Sequence, residues 1–536
     1  MSSNLFRTKS LESIHAGMEQ QTGLRRMLNA WDLMFLGVGA IIGAGILSAL
    51  GMGLAGGYDS TFDLTRPAAG PALVISIILV AIACGFTALC YAELASMIPV
   101  SGSAYTYTYA TMGELMAWII GWDLLLEYAV GNVAIAISWG SYMDNLLQGV
   151  GINLPRWLSM DSRSMLLPTE QFAAAHQGAV GFFDKLNYLV QAKAGVLDGA
   201  ATFLNWDVVK TAPMIGEFPV GLNFLAIVIT VIVTWLCVVG VKESVKTNSV
   251  LVALKVVLLL LVVAVGAFYV KPENFHPFMP NGLTGIQAGA AIIFFAFIGF
   301  DAVSTTGEEC RDAKRDLPLG IIGSLVICTI LYVAVCVVIS GMLPYKDYTG
   351  VADPVAHAFT AIGMHGISAV VSIGAVVALG STLLVYQLAQ PRIFMVMSRD
   401  GLLPAWFGTI NPRFRTPVNS TLLTGAIVIL PAGFMNIDEI IELTNIGTLF
   451  AFILVCAGIL VLRVRRPEVE RKFRAPMIWV TAPLGIVFCS WLALGLPEHT
   501  WVRFGVWLVV GLVTYFFYSA KHSKLRYSQA KTVLSP

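Results

Sequence analysis

A lone lysine, Lys255, sits inside the oily run NSVLVALKVVLLLLVVAVG at 248–266. Two carboxylates, Asp123 and Glu127, stand four residues apart in GWDLLLEYAVGN, hence on one face of a helix. The run GVGAIIGAGI at 37–46 places glycines at 37, 39, 43 and 45, and FFAFIGFDAVSTTGEE at 294–309 places Asp301 two residues after Gly299. All of these are costly in apolar surroundings. A lysine or an acid at the centre of a bilayer costs about 2.5–3.5 kcal/mol on insertion scales. A glycine costs a helix interior up to about 1 kcal/mol relative to alanine. Such residues in such places suit ion pathways, proton transfer and polar ligand binding, beside close packing and pairing between spans.

The elements that carry them are membrane spans. The chain has 536 residues, of which 57% are hydrophobic and 12% charged, with a mean hydropathy of +0.78. A soluble domain carries roughly 25% charged residues, so one polytopic membrane domain is expected. A spanning helix needs about 20 mostly apolar residues. About twelve segments meet that need: 30–53, 70–97, 113–147, 219–240, 247–270, 285–306, 318–343, 365–395, 418–435, 440–463, 477–496 and 501–520. They are continuous apolar runs, not the alternating runs of a membrane barrel. Residues 1–29 are polar and lack the pattern of a cleavable signal peptide. Lysine and arginine concentrate on the side that holds both termini, above all in RVRRPEVERKFR at 463–474, which predicts cytoplasmic N- and C-termini. The net charge of +1 singles out no partner, and no nucleic-acid partner is expected.

Spans one and six are unusual in the same way. Glycine lies near the middle of both, four residues in span one and Gly299 in span six, where Asp301 follows. Irregular backbone is tolerated in a membrane only where it faces protein or a watery cavity. The glycines also suit close helix packing, since Gly39 and Gly43 have small-xxx-small spacing. Paired interruptions at matching places of two halves instead point to a five-helix inverted repeat, spans 1–5 and 6–10, with 11 and 12 added. A broken helix offers free amides at the start of one half and free carbonyls at the end of the other. Amides around Ala44 and Gly45, beside Gly43, suit a carboxylate; carbonyls around Ile41, Phe295, Ala296 and Ile298 suit an ammonium group. An α-amino acid carries both on one carbon.

Lys255 lies about 12 Å along span five at ~1.5 Å per residue. It either snorkels to the inner interface with its reach of about 6 Å or places an ammonium inside the bundle near the break in span one. In the second case burial penalises its charge, so its proton can come and go during a cycle. Ser381 and Thr382 on span eight are its neutral neighbours. Asp123 and Glu127 either pair with another span for assembly or serve a substrate side chain or a proton. Asp301 caps the broken helix or gates the substrate. Glu93 reads as structural, and the aromatic run YTYTY at 105–109 as interface anchoring. Glu308, Glu309, Arg311 and Arg315 suit an inner gate or surface pairing equally well.

Several motifs together resemble the amino acid–polyamine–organocation superfamily, most of all its cationic amino acid transporter branch with its bacterial permeases. They are GAIIGAGI, CYAELASMIPVSGSAYTYTYATMGELMAWIIGWDLLLEY at 90–128, AFIGFDAVSTTGEECRDAKRDLPLGI at 296–321, SRDGLLP at 398–404 and ELTNIGTLFAFILV at 442–455. The resemblance covers nearly the whole chain. It implies an all-α integral membrane protein of the leucine-transporter type, a 5+5 inverted repeat of twelve transmembrane helices with helices 1 and 6 broken. It implies amino acid transport across the plasma membrane, with Ile41, Ala44, Gly45, Phe295, Ala296 and Ile298 lining the backbone part of the site and Glu127 near the substrate side chain. Sodium-coupled members of this fold hold a cation between spans one, five and eight. The LKV at 254–256 matches a lysine position there, which implies proton-coupled or sodium-independent transport. Two departures stand out: Ala44 replaces a threonine common in bacterial relatives, and the 148–217 loop is longer than usual.

The expected organisation is a cytoplasmic segment 1–29, a first repeat 30–270 containing the outer loop 148–217, a second repeat 285–463, spans 477–520 and a tail 521–536. The partners expected are an amino acid, a proton and the lipid bilayer. A small accessory membrane subunit stays open. No cofactor, metal site or enzymatic motif is read from the chain: the eight cysteines have no ligand spacing, and neither HExxH nor GxxxxGK[ST] occurs. Exchange of one amino acid for another, and a nutrient sensor without transport, remain the other readings.

Overall fold

The computed structural model describes residues 5–9, 28–58, 64–98, 103–166, 169, 172, 182–216, 218–240, 245–469, 471 and 473–526. Among them, nine helices are long and apolar enough to cross a membrane, and three shorter apolar helices accompany them. In chain order they are α1 (Ala30–Ala55), α2 (Gly70–Met97), α3 (Glu114–Gly149), α4 (Phe224–Val239), α5 (Ser249–Tyr269), α6 (Gly282–Ser304), α7 (Lys314–Met342), α8 (His365–Arg399), α9 (Val418–Phe434), α10 (Ile437–Arg465), α11 (Ile478–Leu494) and α12 (Glu498–His522). The short ones are α4, α9 and α11. Two small ribbons in loops, Gly57–Tyr58 with Leu64–Arg66 and Met214–Ile215 with Phe218–Pro219, are the sheets found among these residues.

Burial sorts the helices. The apolar windows of α3 and α6 are 89% and 83% buried by protein, against 33% for α5 and 22% for α12. Hence α3 and α6 sit in the centre, while α5 and α12 keep most of their oily surface for lipid. The long α3 and α8 pack along each other, α7 packs on α1 and α2, and α10 packs on α3 and α11. Glycines permit the closest of these approaches: Gly131 of α3 faces the ring of Tyr386 on α8, and Gly447 of α10 faces Asp123 on α3.

α1 begins at a capping box. The Asn29 side chain accepts from the amides of Trp31 and Asp32, and the Asp32 carboxylate accepts from the Asn29 amide at 3.0 Å. Regular helix then ends at Ile41. Ile42 still donates to the Val38 carbonyl at 2.9 Å, but its ψ of 98° turns the chain away. Winding resumes at Ala44 as a π turn over Gly45–Ala49 and continues through Leu50–Ala55. α6 is interrupted in the same manner. It runs regularly over Gly282–Ile293, tightens over Phe294–Phe297, turns out at Ile298 and passes through Gly299 at φ +121°. A non-glycine residue at that φ is strained, and a Cβ there would lie 2.8 Å from the Ala40 carbonyl oxygen.

The connection between α3 and α4 folds on itself. Met165, Leu189, Phe203, Val208 and Val209 are buried in its own apolar cluster. Phe182–Lys193 forms a helix within it. The unit is fastened to the start of α10 by the Arg163–Glu439 ion pair and by Asn436 Nδ2 donating to Ser164 Oγ at 2.9 Å.

At the opposite end, Glu93 of α2 is fully buried. Its carboxylate accepts from Arg463 Nε at 2.9 Å, Arg463 Nη2 at 2.7 Å and the Ala475 amide at 2.8 Å, and Arg471 lies 3.4 Å away. Removing one partner of a buried ion pair costs about 3–5 kcal/mol. Glu93→Ala is therefore expected to lower the unfolding midpoint of the detergent-solubilised protein sharply; an unchanged midpoint rules out this structural role. The YTYTY rings depart from interface anchoring. Tyr105, Tyr107 and Tyr109 are all buried. Tyr105 donates to Asp400 at 2.8 Å and Tyr109 to Glu114 at 3.0 Å, so protein carboxylates, not lipid headgroups, take the polar ends of these two. The side chains of Glu308 and Glu309 lie outside the described residues; Arg311 and Arg315 are exposed.

Candidate functional site

The two interruptions meet. A Cβ built on Gly45 would lie 2.1 Å from Ala296 Cα and 2.5 Å from the Ala296 nitrogen. Only glycine lets the two irregular backbones touch. Ile41, Ala44, Phe295, Ala296 and Ile298 are all buried around this contact.

An interruption frees carbonyls that the helix would otherwise use, and these need donors. Lys255 of α5 supplies one. Its side chain is 3% exposed, and Nζ donates to the Gly39 carbonyl at 2.7 Å and to Thr382 Oγ1 at 2.8 Å. The ammonium thus joins the first half of α1 to α8 at the interruption and does not extend toward an interface. The Thr382 hydroxyl donates to the Ala378 carbonyl at 2.9 Å, which leaves its oxygen to accept from the lysine. Ser381 donates to the same Ala378 carbonyl at 2.8 Å. Gly43 packs on the Thr382 methyl, where an added Cβ would lie 3.2 Å away.

The acids come together on the other flank. Asp123 is fully buried, and neither carboxylate oxygen has a hydrogen-bond partner. Glu127, one turn along α3, is within electrostatic reach of both Asp123 and Asp301, with the Thr448 hydroxyl beside it. Asp301 occupies the first turn after Gly299, and its Oδ1 has no hydrogen-bond partner. Tyr128 and Tyr386 close the space between α3 and α8 with ring centroids 5.4 Å apart. Gln387, next to Tyr386, turns the other way and donates to Thr234 Oγ1 of α4 at 3.0 Å.

Three donors escaped the sequence reading. The Tyr332 hydroxyl of α7 donates to the Ile41 carbonyl at 2.9 Å, and the Tyr142 hydroxyl of α3 to the Leu47 carbonyl at 2.6 Å. Asn445 Nδ2 of α10 donates to the carbonyls of Ala291 and Ile292 at 2.7 and 3.1 Å. A broken span implies such donors. Their identities depend on which helix lies alongside, and local sequence does not state that.

A second polar cluster lies at the end bearing the long loop. Arg66 is 2% exposed and reaches Asp438 at 2.7 Å and Glu442 at 3.2 Å. Burial works against its charge, but Asp438 and Glu442 more than offset this and raise its pKa above the ordinary arginine value. Glu442 also accepts from Thr500 at 2.9 Å and lies 3.1 Å from His499, and Arg503 reaches Glu439 at 3.1 Å. This cluster ties the α1–α2 connection, α10 and α12 together.

An all-helical bundle whose two interrupted helices meet around buried polar groups is the architecture of a membrane carrier. The chain belongs to the amino acid permease family: a family model of that description matches residues 28–522. It is 40% identical to the branched-chain amino acid permease BcaP of Bacillus subtilis over 98% of this chain and all of that one. It is 39% identical to the methylthioribose transporter of the same organism, over 98% of this chain and 99% of the relative. It is 36% identical to the vacuolar cationic amino acid transporter 4 of Arabidopsis thaliana, over 87% of this chain and 68% of that one. These relatives are named transporters or permeases, not enzymes.

Proposed function

We propose that the protein is a secondary active carrier for L-amino acids, in the plasma (inner) membrane with both termini cytoplasmic, working by alternating access in a 5+5 repeat of twelve spans. The substrate's α-carboxylate rests on the amides of Gly43, Ala44 and Gly45. Its ammonium rests on the carbonyls of Ile41, Phe295, Ala296 and Ile298. Charge-assisted hydrogen bonds of this kind are about twice as strong as neutral ones, and two helix ends provide them without any ionised side chain. Asp301 and Glu127 face the substrate side chain, with Asp123 behind them. Lys255, between Gly39 and Thr382, is the coupling group: protonated, it holds the first half of α1 against α8; deprotonated, it loses the ammonium that charge-assists this hold.

The observation that carries the reading is the contact of the two interruptions at Gly45 and Ala296, with Lys255 beside it. The three acids favour a cationic substrate, and the small residues at Ala44 and Ala296 leave room for a neutral one. The relatives include proteins named for branched-chain and for cationic amino acids. The test is uptake of labelled L-leucine and L-arginine into proteoliposomes holding the purified chain, with pH gradient and sodium varied separately. Expected is accumulation of at least one of them that follows the pH gradient and ignores sodium. Counterflow with no response to pH identifies exchange in place of symport. No saturable uptake of either amino acid removes the transport reading.

A further inference from the structure

Tyr332 touches both interruptions at once. Its hydroxyl donates to Ile41, the last helical residue of the first half of α1. Its ring meets Phe297, the last residue before α6 turns out, edge-on at a centroid distance of 5.5 Å. The side chain is fully buried on α7. Asn445 of α10 acts on α6 a turn earlier. It is also fully buried, and its amide donates to Ala291 and Ile292, just ahead of Phe295 and Ala296.

We propose that Tyr332 and Asn445 are positioning residues for the α-amino group of the substrate: they fix the direction of the carbonyls on either side of the gap between α1 and α6. This rests on the amino acid transport reading above. A carbonyl oxygen has two lone pairs. The one that takes the Tyr332 proton leaves the other aimed at a set direction, where an ammonium can donate. The Phe297 contact holds the α6 carbonyls in register with it. A freed carbonyl with no such partner rotates among orientations, and the ammonium must then order it on binding. Fixing it beforehand removes that ordering cost from the binding step.

The test compares the parent with Tyr332→Phe, which keeps the ring against Phe297 and removes only the donor, and with Asn445→Ala as a second, independent variant. Uptake of L-leucine or L-arginine, whichever the parent carries, is measured in proteoliposomes together with inhibition by the matching des-amino acid. That inhibitor keeps the carboxylate and side chain and lacks the ammonium. Loss of its one hydrogen bond is expected to raise the half-saturation concentration about three- to tenfold in Tyr332→Phe, and loss of two by at least as much in Asn445→Ala. The maximal rate and the affinity for the des-amino acid stay unchanged. Equal weakening of amino acid and des-amino acid, or a fall in maximal rate at constant affinity, overturns the positioning role and leaves the transport reading in place. A parent with no saturable uptake overturns both.

Discussion

Lys255→Ala is expected to take up its amino acid only until inside and outside concentrations match, on a pH gradient that lets the parent concentrate it. The ammonium is the one described cationic group between α1 and α8 at the interruption, donating to Gly39 and Thr382. Removing it removes the proton-bearing group proposed to link the position of α1 to the gradient. The variant should still fold. Deleting a buried charge relieves an insertion cost of about 2.5–3.5 kcal/mol, while the Gly39 carbonyl left without this donor costs about 1–3 kcal/mol, so the two nearly cancel. Substrate binding, measured by ligand-dependent thermal stabilisation, should persist. Lys255→Arg separates charge from proton exchange. Arginine stays protonated at all working pH values, so it too should fail to concentrate substrate while keeping a cation in place. Gradient-driven accumulation by either variant at the parent's level shows that Lys255 does not couple.

Gly45→Ala should abolish transport outright. Alanine is the best helix former and gains up to about 1 kcal/mol over glycine in a helix interior, so local propensity favours the change. The contact does not. The new methyl would lie 2.1 Å from Ala296 Cα, and backbone, unlike the tip of a flexible side chain, has nowhere nearby to go. Overpacking of this kind typically costs about 1–3 kcal/mol. Here it falls on the point where the two interrupted helices meet, so it also separates the groups proposed to share one ligand. Because the near atom is the α-carbon, Gly45→Ala combined with Ala296→Gly should be no better than Gly45→Ala alone. Normal uptake by Gly45→Ala, or full rescue by the double variant, contradicts the close approach. The measurements are initial uptake rate and the unfolding midpoint, which is expected to fall by a few degrees or more.

Much of this was open to a reader of residues alone. Bilayer thickness demands a set length of apolar chain, so helix count and approximate bounds follow from composition. The departures from it stand out in the sequence: an unneeded glycine, a lysine in oil, an acid after a turn. Gly43 and Gly299 lie where the windings stop, because the backbone freedom of glycine is a local property. The sequence places Ser381 and Thr382 alike as neighbours of Lys255; Thr382 accepts from its ammonium, and Ser381 donates within its own helix. The tyrosines at 105–109 misled, since a run of aromatics reads alike whether lipid or protein covers it.

Family, membrane-crossing lengths and the places where two helices lose their winding were determined by the order of residues, because each depends on a few neighbours and on the solvent around them. Which donors meet the freed carbonyls was decided only by the packed bundle. Tyr332 lies 291 residues from the carbonyl it holds, and Lys255 lies 216 from Gly39. A hydrogen bond needs atoms within about 3 Å, and over such separations only the packing of whole helices brings them there.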